Sequence, residues 1–111
     1  MAQQGPLFMS GVPELLVLRL LAGREMYGYE LARAIEVSTR ETISIGEGVL
    51  YPALHSLEAR GLLRARRQAV AGRTRVYYAV TGKGQKRLEQ LTNEWRRIAG
   101  GVEAVLGGTY A

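Results

Sequence analysis

The sequence predicts a mainly α-helical fold with one small two-stranded β-hairpin. Apolar residues recur with helical spacing in four separate segments, and strict two-residue alternation separates the third segment from the fourth. Glycine or proline marks most boundaries between these segments. The 111 residues correspond to a single compact domain.

The first two helices are predicted at about residues 12–22 and 27–38. The first is apolar on nearly every side, which is typical of a helix that is buried by several neighbours. The second has one apolar stripe, and we expect Tyr27 and Tyr29 to pack it against the third helix. Residues 1–10 precede these helices and are predicted to form a flexible leader.

A third helix is predicted from Ser44 to about residue 60. Ser44 followed by Glu47 has the spacing of a capping box, in which each side chain binds a free backbone N–H of the first turn. Pro52 fits this helix without a kink only if the cap is one of the two following glycines rather than Ser44. Its apolar face consists of Leu50, Leu54 and Leu57.

Two strands are predicted at residues 62–68 and 74–80, joined by a flexible linker at 69–73. Three short helices followed by a hairpin describe a winged helix–turn–helix, which we assign to residues 11–82. In that fold the third helix enters the major groove of DNA and the hairpin, called the wing, contacts the flanking backbone.

The last helix is predicted at residues 83–106 with Thr81 as its cap, and residues 107–111 are predicted to fray. Apolar residues follow each other at alternating steps of three and four along this helix, as in a coiled-coil seam. An exposed seam of this length predicts a homodimer interface. The seam residues are Leu88, Leu91, Trp95, Ile98, Val102 and Val105.

Charge and composition favour a nucleic-acid partner and disfavour catalysis. The formal net charge is +5, and residues 59–88 hold nine of the fifteen basic residues and no acidic one. The sequence has no Asp, no Cys and a single His, which are the residues that catalytic clusters and metal sites most often use. We therefore expect no enzyme activity, cofactor or metal. No apolar run is long enough for a membrane span, and the start does not resemble a signal peptide, so we expect a cytoplasmic protein without a membrane partner.

Four segments together resemble the PadR family of bacterial regulators. They are residues 27–31 (YGYEL), 48–58 (GVLYPALHSLE), 61–62 (GL) and 77–84 (YYAVTGKG). The resemblance implies a repressor that dimerises through its last helix and, in some members, responds to small aromatic molecules. A single helix after the wing is similar to the short-tailed subgroup. The chain departs from the family pattern at Gly46 and Val49, where a hydroxyl residue is common.

The predicted DNA contacts lie at the start of the third helix and on the wing. Thr42 and Ser44 are candidates for phosphate contacts because they supply hydroxyls just before the helix, and Ser44 is also a candidate cap. Arg73 is the clearest backbone or minor-groove candidate, and its alternative is a solvated loop arginine. The full predicted set is Thr42, Ser44, Glu47, Val49, Tyr51, His55, Arg66, Arg73 and Arg75.

Three aromatic side chains have two interpretations each. Tyr51 either presents its hydroxyl to a phosphate or packs as a half-buried ring on the second helix. His55 either points into the groove or is an ordinary surface or core residue. Trp95 either fills the dimer interface or, with Leu91 and Ile98, stacks on a small aromatic effector.

The sequence therefore favours a sequence-specific regulator that binds a two-fold symmetric operator as a homodimer. The alternative is a winged-helix module that binds other proteins and no specific DNA.

Overall fold

The computed structural model describes the backbone of residues 7–108 and the side chains of residues 11–108. The described chain confirms the mainly helical prediction, with a β-hairpin between the third and fourth helices. The elements in chain order are α1 (Leu7–Gly23), β1 (Met26–Tyr27), α2 (Gly28–Ser38), α3 (Glu47–Ala59), β2 (Leu63–Val70), β3 (Arg73–Val80) and α4 (Gly82–Leu106).

Helix α1 lies at the centre of the fold. It packs against α2, α3, α4 and β3, as its apolar residues on nearly every side predict. Val17 and Leu18 are fully buried in it, and Leu31, Ile35 and the apolar face of α3 complete the core around them. It begins at Leu7, inside the segment predicted as a leader, of which residues 1–6 lie outside the described residues.

The sheet has three strands rather than the predicted two, in the order β1–β3–β2 with both pairs antiparallel. The additional strand pairs Met26 with Tyr78 and Tyr27 with Tyr77. An alternating pattern cannot be recognised in only two residues, so this strand was not predicted. Strand β1 ties the entry of α2 to the base of the hairpin.

The tip of the hairpin is a two-residue turn and not the predicted five-residue linker. Strands β2 and β3 pair through to Val70 opposite Arg73, which leaves only Ala71 and Gly72 unpaired. Their φ angles are 51° and 78°, the left-handed values that match a tight turn to the twist of the strands. The hairpin is therefore longer and more regular than its apolar linker suggested.

Helix α3 begins later than predicted, and the expected Ser44 capping box is absent. The cap is Gly46, and no side chain bonds to the first turn. The Ser44 hydroxyl donates instead to Glu36 Oε2 at 3.3 Å, which holds it across the turn that follows α2. Pro52 thus lies in the second turn of the helix.

The cap of α4 is the predicted one: the Thr81 hydroxyl accepts a hydrogen bond from the Gly84 N–H at 3.1 Å. The 25 residues of this helix span about 37 Å, since each residue rises about 1.5 Å. Its first turns pack on α1, and its distal turns extend beyond the other elements. The described chain as a whole measures 62 × 27 × 25 Å. Of the predicted tail, residues 109–111 lie outside the described residues.

Candidate nucleic-acid interface

Helix α3 presents one face to the core and the other to solvent. Leu50, Leu54 and Leu57 are almost completely buried, and this places the positions between them on the outside. On that exposed face lie Glu47 and His55, together with Val49, whose side chain is 53% exposed.

Tyr51 packs on the beginning of α2. Its ring lies so close to Gly28 that a methyl group there would come within 2.5 Å of the Tyr51 hydroxyl oxygen. The side chain remains 37% exposed, and its ring centroid lies 6.4 Å from that of His55. The structure has the packing on the second helix that was predicted as one alternative, with the Tyr51 hydroxyl next to the buried Gly28.

The turn between α2 and α3 is ordered by Thr39. Its hydroxyl oxygen bonds with the backbone of Ile35 at 2.7 Å and with both the N–H and the carbonyl of Ile43. Arg40 and Glu41 have left-handed φ angles of 53° and 62°, uncommon for residues with side chains. This turn leaves Thr42 exposed, five residues before the first residue of α3.

One side of the wing is rich in arginine. Antiparallel register places residues that face each other on the same side of the sheet, so Arg66 faces Tyr77 and Gln68 faces Arg75. We call this side the outer face, because the opposite side carries the buried Leu63 and Tyr78. The outer face consists of Arg64, Arg66, Gln68, Val70, Arg73, Arg75, Tyr77 and Ala79.

Two tyrosines hold two of these arginines in place. The rings of Tyr27 and Tyr77 meet edge to face at 5.5 Å between centroids. The Arg75 guanidinium lies 4.3 Å from the centroid of Tyr27, and that of Arg66 lies 4.9 Å from the centroid of Tyr77. Tyr27 thus belongs to the sheet and not, as expected, to the contact between α2 and α3; Tyr29 is 66% exposed and does not serve that contact either.

Arg66 also forms an ion pair with Glu25, donating from both Nε and Nη2 to the two carboxylate oxygens. This hydrogen bonding lowers the pKa of Glu25 and raises that of Arg66. A hydrogen bond with Tyr77 likewise raises the pKa of Arg75. A phosphate would have to compete with Glu25 for Arg66.

The basic block seen in the sequence is partly neutralised within the fold. Arg60 and Arg87 both pair with Glu14, and Lys83 donates to a backbone carbonyl at 3.0 Å. Among the residues that the structure describes, the Arg73 side chain makes neither a hydrogen bond nor an ion pair. The sequence could not show which basic residues are paired, because their acidic partners are distant in the chain.

The predicted seam on α4 divides into a covered and an uncovered part. Leu88 is buried against α1, whereas Trp95 is 38%, Val102 50% and Val105 57% exposed. Trp95 borders an open groove of about 770 Å³ between α1 and α4, lined also by Leu15, Leu16 and Leu88. Leu91 is half-buried beside it, and Ile98 lines a shallower hollow farther along α4.

Within the described part of the chain, no helix is long and apolar enough to cross a membrane. Over the same residues, no group of three or more His, Cys, Asp or Glu side chains comes together in a way that could hold a metal ion.

Comparison with known proteins gives the same result at three levels. Residues 17–90 match the family model described as the transcriptional regulator PadR-like family. The transcriptional regulator Rv3488 of Mycobacterium tuberculosis is 34% identical over 101 residues, which cover 91% of this chain and 89% of that protein.

Solved structures of other proteins resemble this chain in both fold and sequence. A transcriptional regulator from Clostridium thermocellum superposes with a TM-score of 0.80 at 29% identity, covering 86% of this chain and 90% of the other. A PadR family transcription regulator from Clostridium difficile gives a TM-score of 0.73 at 31% identity and covers 86% and 99% of the two chains.

Proposed function

The chain belongs to the PadR-like family of transcriptional regulators, and on that premise we propose that it represses transcription by binding a two-fold symmetric operator as a homodimer. The observation that carries this proposal is the position of the exposed face of α3 beside the arginine-rich wing. A surface hollow of about 290 Å³ separates Tyr51 and His55 on α3 from Thr74 and Arg75 on β3. A helix and a ribbon side by side fit the major groove and its flanking backbone.

Base contacts are assigned to α3 and phosphate contacts to its surroundings. Glu47, Val49 and His55 face outward on the first three turns, where a helix in the major groove meets base edges. Thr42 supplies an exposed hydroxyl in the turn before the helix, and Tyr51 is 37% exposed although its hydroxyl lies next to Gly28. Ser44 reaches a phosphate only by giving up its bond to Glu36, so its part is smaller than the sequence suggested.

The wing supplies the electrostatic part of the binding. Arg73 has no partner among the described residues, so it can neutralise a phosphate without breaking an existing bond. Arg75 is held over Tyr27 and is therefore ordered before it meets DNA. Arg66 is the weakest of the three candidates because Glu25 already occupies its donors.

The second copy is assigned to the uncovered seam of α4. Val102 and Val105 are at least half exposed and continue the line of Trp95, and Leu106 beside them is 74% exposed. Covering apolar surface of this kind stabilises an assembly by about 25 cal/mol per Å². A two-fold dimer covers the same surface on both protomers.

A small aromatic effector is assigned to the groove beside Trp95. Leu15 and Leu16 form the wall opposite Trp95, whereas the predicted Leu91 does not line this groove and Ile98 lines the separate hollow farther along α4. A flat ring that enters this groove would change the contact between α1 and α4, and it would act as a switch only by favouring one angle between protomers. Trp95 is the single tryptophan, so its fluorescence reports occupancy during titration with planar phenolics.

The test of DNA binding is selection of bound duplexes from a random library with the purified chain. We expect a two-fold symmetric consensus, which gives specificity and stoichiometry together. Absence of any consensus, with the protein folded, would contradict the proposal and favour the alternative of a module that binds proteins.

Arg73→Ala then tests the wing on the selected duplex. We expect weaker binding to every sequence and a slope of log affinity against log salt reduced by about one unit for each lost phosphate contact. Arg97→Ala is the matched control: it removes the same charge from α4, where the side chain is 73% exposed and pairs with Glu94. Equal effects of the two variants would show that Arg73 acts only through net charge.

A further inference from the structure

Glu14 connects three helices through one carboxylate. Its Oε2 lies 3.3 Å from Nη2 of Arg60, the residue that ends α3, and its Oε1 accepts from Nε of Arg87 on α4 at 3.2 Å. The Glu14 side chain on α1 is only 20% exposed, so both ion pairs are partly shielded from water. Bridges of this kind are screened less than pairs at the surface.

Three successive backbone carbonyls at the end of α3 also accept hydrogen bonds from the beginning of α4; we call this region the junction. Arg60 O accepts from Lys83 Nζ at 3.0 Å, Gly61 O from the Thr81 hydroxyl at 2.7 Å, and Leu62 O from the Thr81 N–H at 3.1 Å. The donors all belong to the first turn of α4 or its cap. The end of α3 and the beginning of α4 are therefore held as one unit, and Glu14 is the member that also binds α1.

We propose that Glu14 is a positioning residue that fixes the angle between α3 and α4 and thereby sets the spacing of DNA half-sites. The inference rests on the proposed function, in which α3 reads DNA and α4 joins the two protomers. The distance between the two copies of α3 then depends on how rigidly each is attached to its own α4. Glu14 contributes to this attachment by adding two ion pairs, and a link to α1, to the three carbonyl hydrogen bonds.

The spacing of half-sites is a sensitive measure of that attachment. Each added base pair moves the second half-site by about 3.4 Å and rotates it by about 35°. A rigid dimer loses affinity for a duplex with either change. A dimer with a loosened junction adjusts to the shift and the rotation, so it loses less affinity. A substitution that merely lowers the folded fraction reduces affinity for all spacings by one factor and leaves their ratio unchanged.

The experiment uses the full chain and the duplex consensus selected with it, made with the central spacer at its selected length and one base pair shorter or longer. The variant is Glu14→Gln, which keeps the shape and one acceptor but removes the charge that binds both arginines. Glu94→Gln is the matched control, because it removes the same charge from an exposed pair with Arg97 within one helix. Arg60→Gln is a second variant that detaches α3 alone.

We expect wild-type protein and Glu94→Gln to lose about tenfold in affinity for each one-base-pair change, a loss comparable to that of one mismatch. Glu14→Gln and Arg60→Gln should lose at least threefold less than this. Spacing profiles of both variants that equal the wild-type profile would overturn the inference while leaving the proposed function intact. Failure of the wild-type chain to bind any duplex selectively would overturn both, and it is recognised in the wild-type measurement alone.

Discussion

Gly84 is the position where the addition of one methyl group should do most damage. A Cβ atom at Gly84 would lie 2.1 Å from the carbonyl oxygen of Leu62 and 2.7 Å from Cγ1 of Val80. Carbon and oxygen atoms in close contact lie about 3.3 Å apart, so the start of α4 must move away from Leu62 by about 1 Å. The Leu62 oxygen cannot yield freely, because it accepts the Thr81 N–H hydrogen bond.

The magnitude follows from these contacts. Overpacking by a methyl group in a well-packed site costs about 1–3 kcal/mol, and weakening the bond to Leu62 adds about 1 kcal/mol. Replacing glycine by alanine within a helix returns about 1 kcal/mol. We therefore expect Gly84→Ala to lower the free energy of unfolding by about 2 kcal/mol, which lowers the Tm by about 10 °C for a domain of this size.

The measurement is chemical and thermal unfolding at one fixed protein concentration, because the stability of the proposed dimer would depend on concentration. Gly82→Ala is the control, since the same change two residues earlier meets nothing within 4 Å and should leave stability unchanged or slightly higher. If the two variants unfolded at the same denaturant concentration, the close approach of α4 to Leu62 would be refuted.

Two further predictions concern the surroundings of the interface. Gly28→Ala displaces the Tyr51 ring and should cost about 1 kcal/mol, and much of this loss should vanish when Tyr51 is also replaced by alanine, as a double-mutant cycle would show. The hydrogen bond from Arg66 lowers the pKa of Glu25 below its unfolded value, so its stabilisation is present above about pH 4.3 and is lost as the pH falls. Glu25→Gln should therefore flatten the loss of stability between about pH 5 and 3 in urea unfolding, and an unchanged slope would contradict the pairing.

The helices and the hairpin could be predicted because their signals are local and repeated. Thr81 precedes a run of helical period and bonds the Gly84 N–H as a cap of that type should. In β3 the alternation places Tyr78 in the core, where it is 4% exposed. Each of these signals lies within a few residues of the feature that it predicts.

The errors have two causes: a residue outside the local pattern takes a hydrogen bond, or a residue adopts a backbone conformation that is rare for its type. Ser44 has the spacing of a cap, but Glu36 on the preceding helix takes its hydroxyl and the chain stays extended until Gly46. At the wing tip Ala71 adopts a left-handed φ that alanine rarely has, so composition suggested a long linker in place of a tight turn.

The candidate interface could be predicted in its location and only partly in its chemistry. The dense basic residues coincide with the wing, and the position of Arg73 near the tip made it the clearest candidate, but nothing local in the sequence shows that Glu25 binds Arg66. That pair joins residues 41 positions apart, and the pairing of Glu14 with Arg87 spans 73 positions. Contacts at such separations follow from the packing of the elements and leave no periodic trace in the sequence.

The third strand supports only the base of the hairpin, and this gives the wing an uneven mechanical stiffness. Strand β1 pairs with residues 77 and 78, so the four residue pairs nearer the tip form a two-stranded ribbon about 13 Å long. Ribbons of two strands are marginally stable and twist readily. A force that acts on Arg73 therefore bends the two-stranded tip, while the three-stranded base keeps its register. In the proposed complex, the wing follows local variation in groove width at little energetic cost, and discrimination between sequences rests with α3.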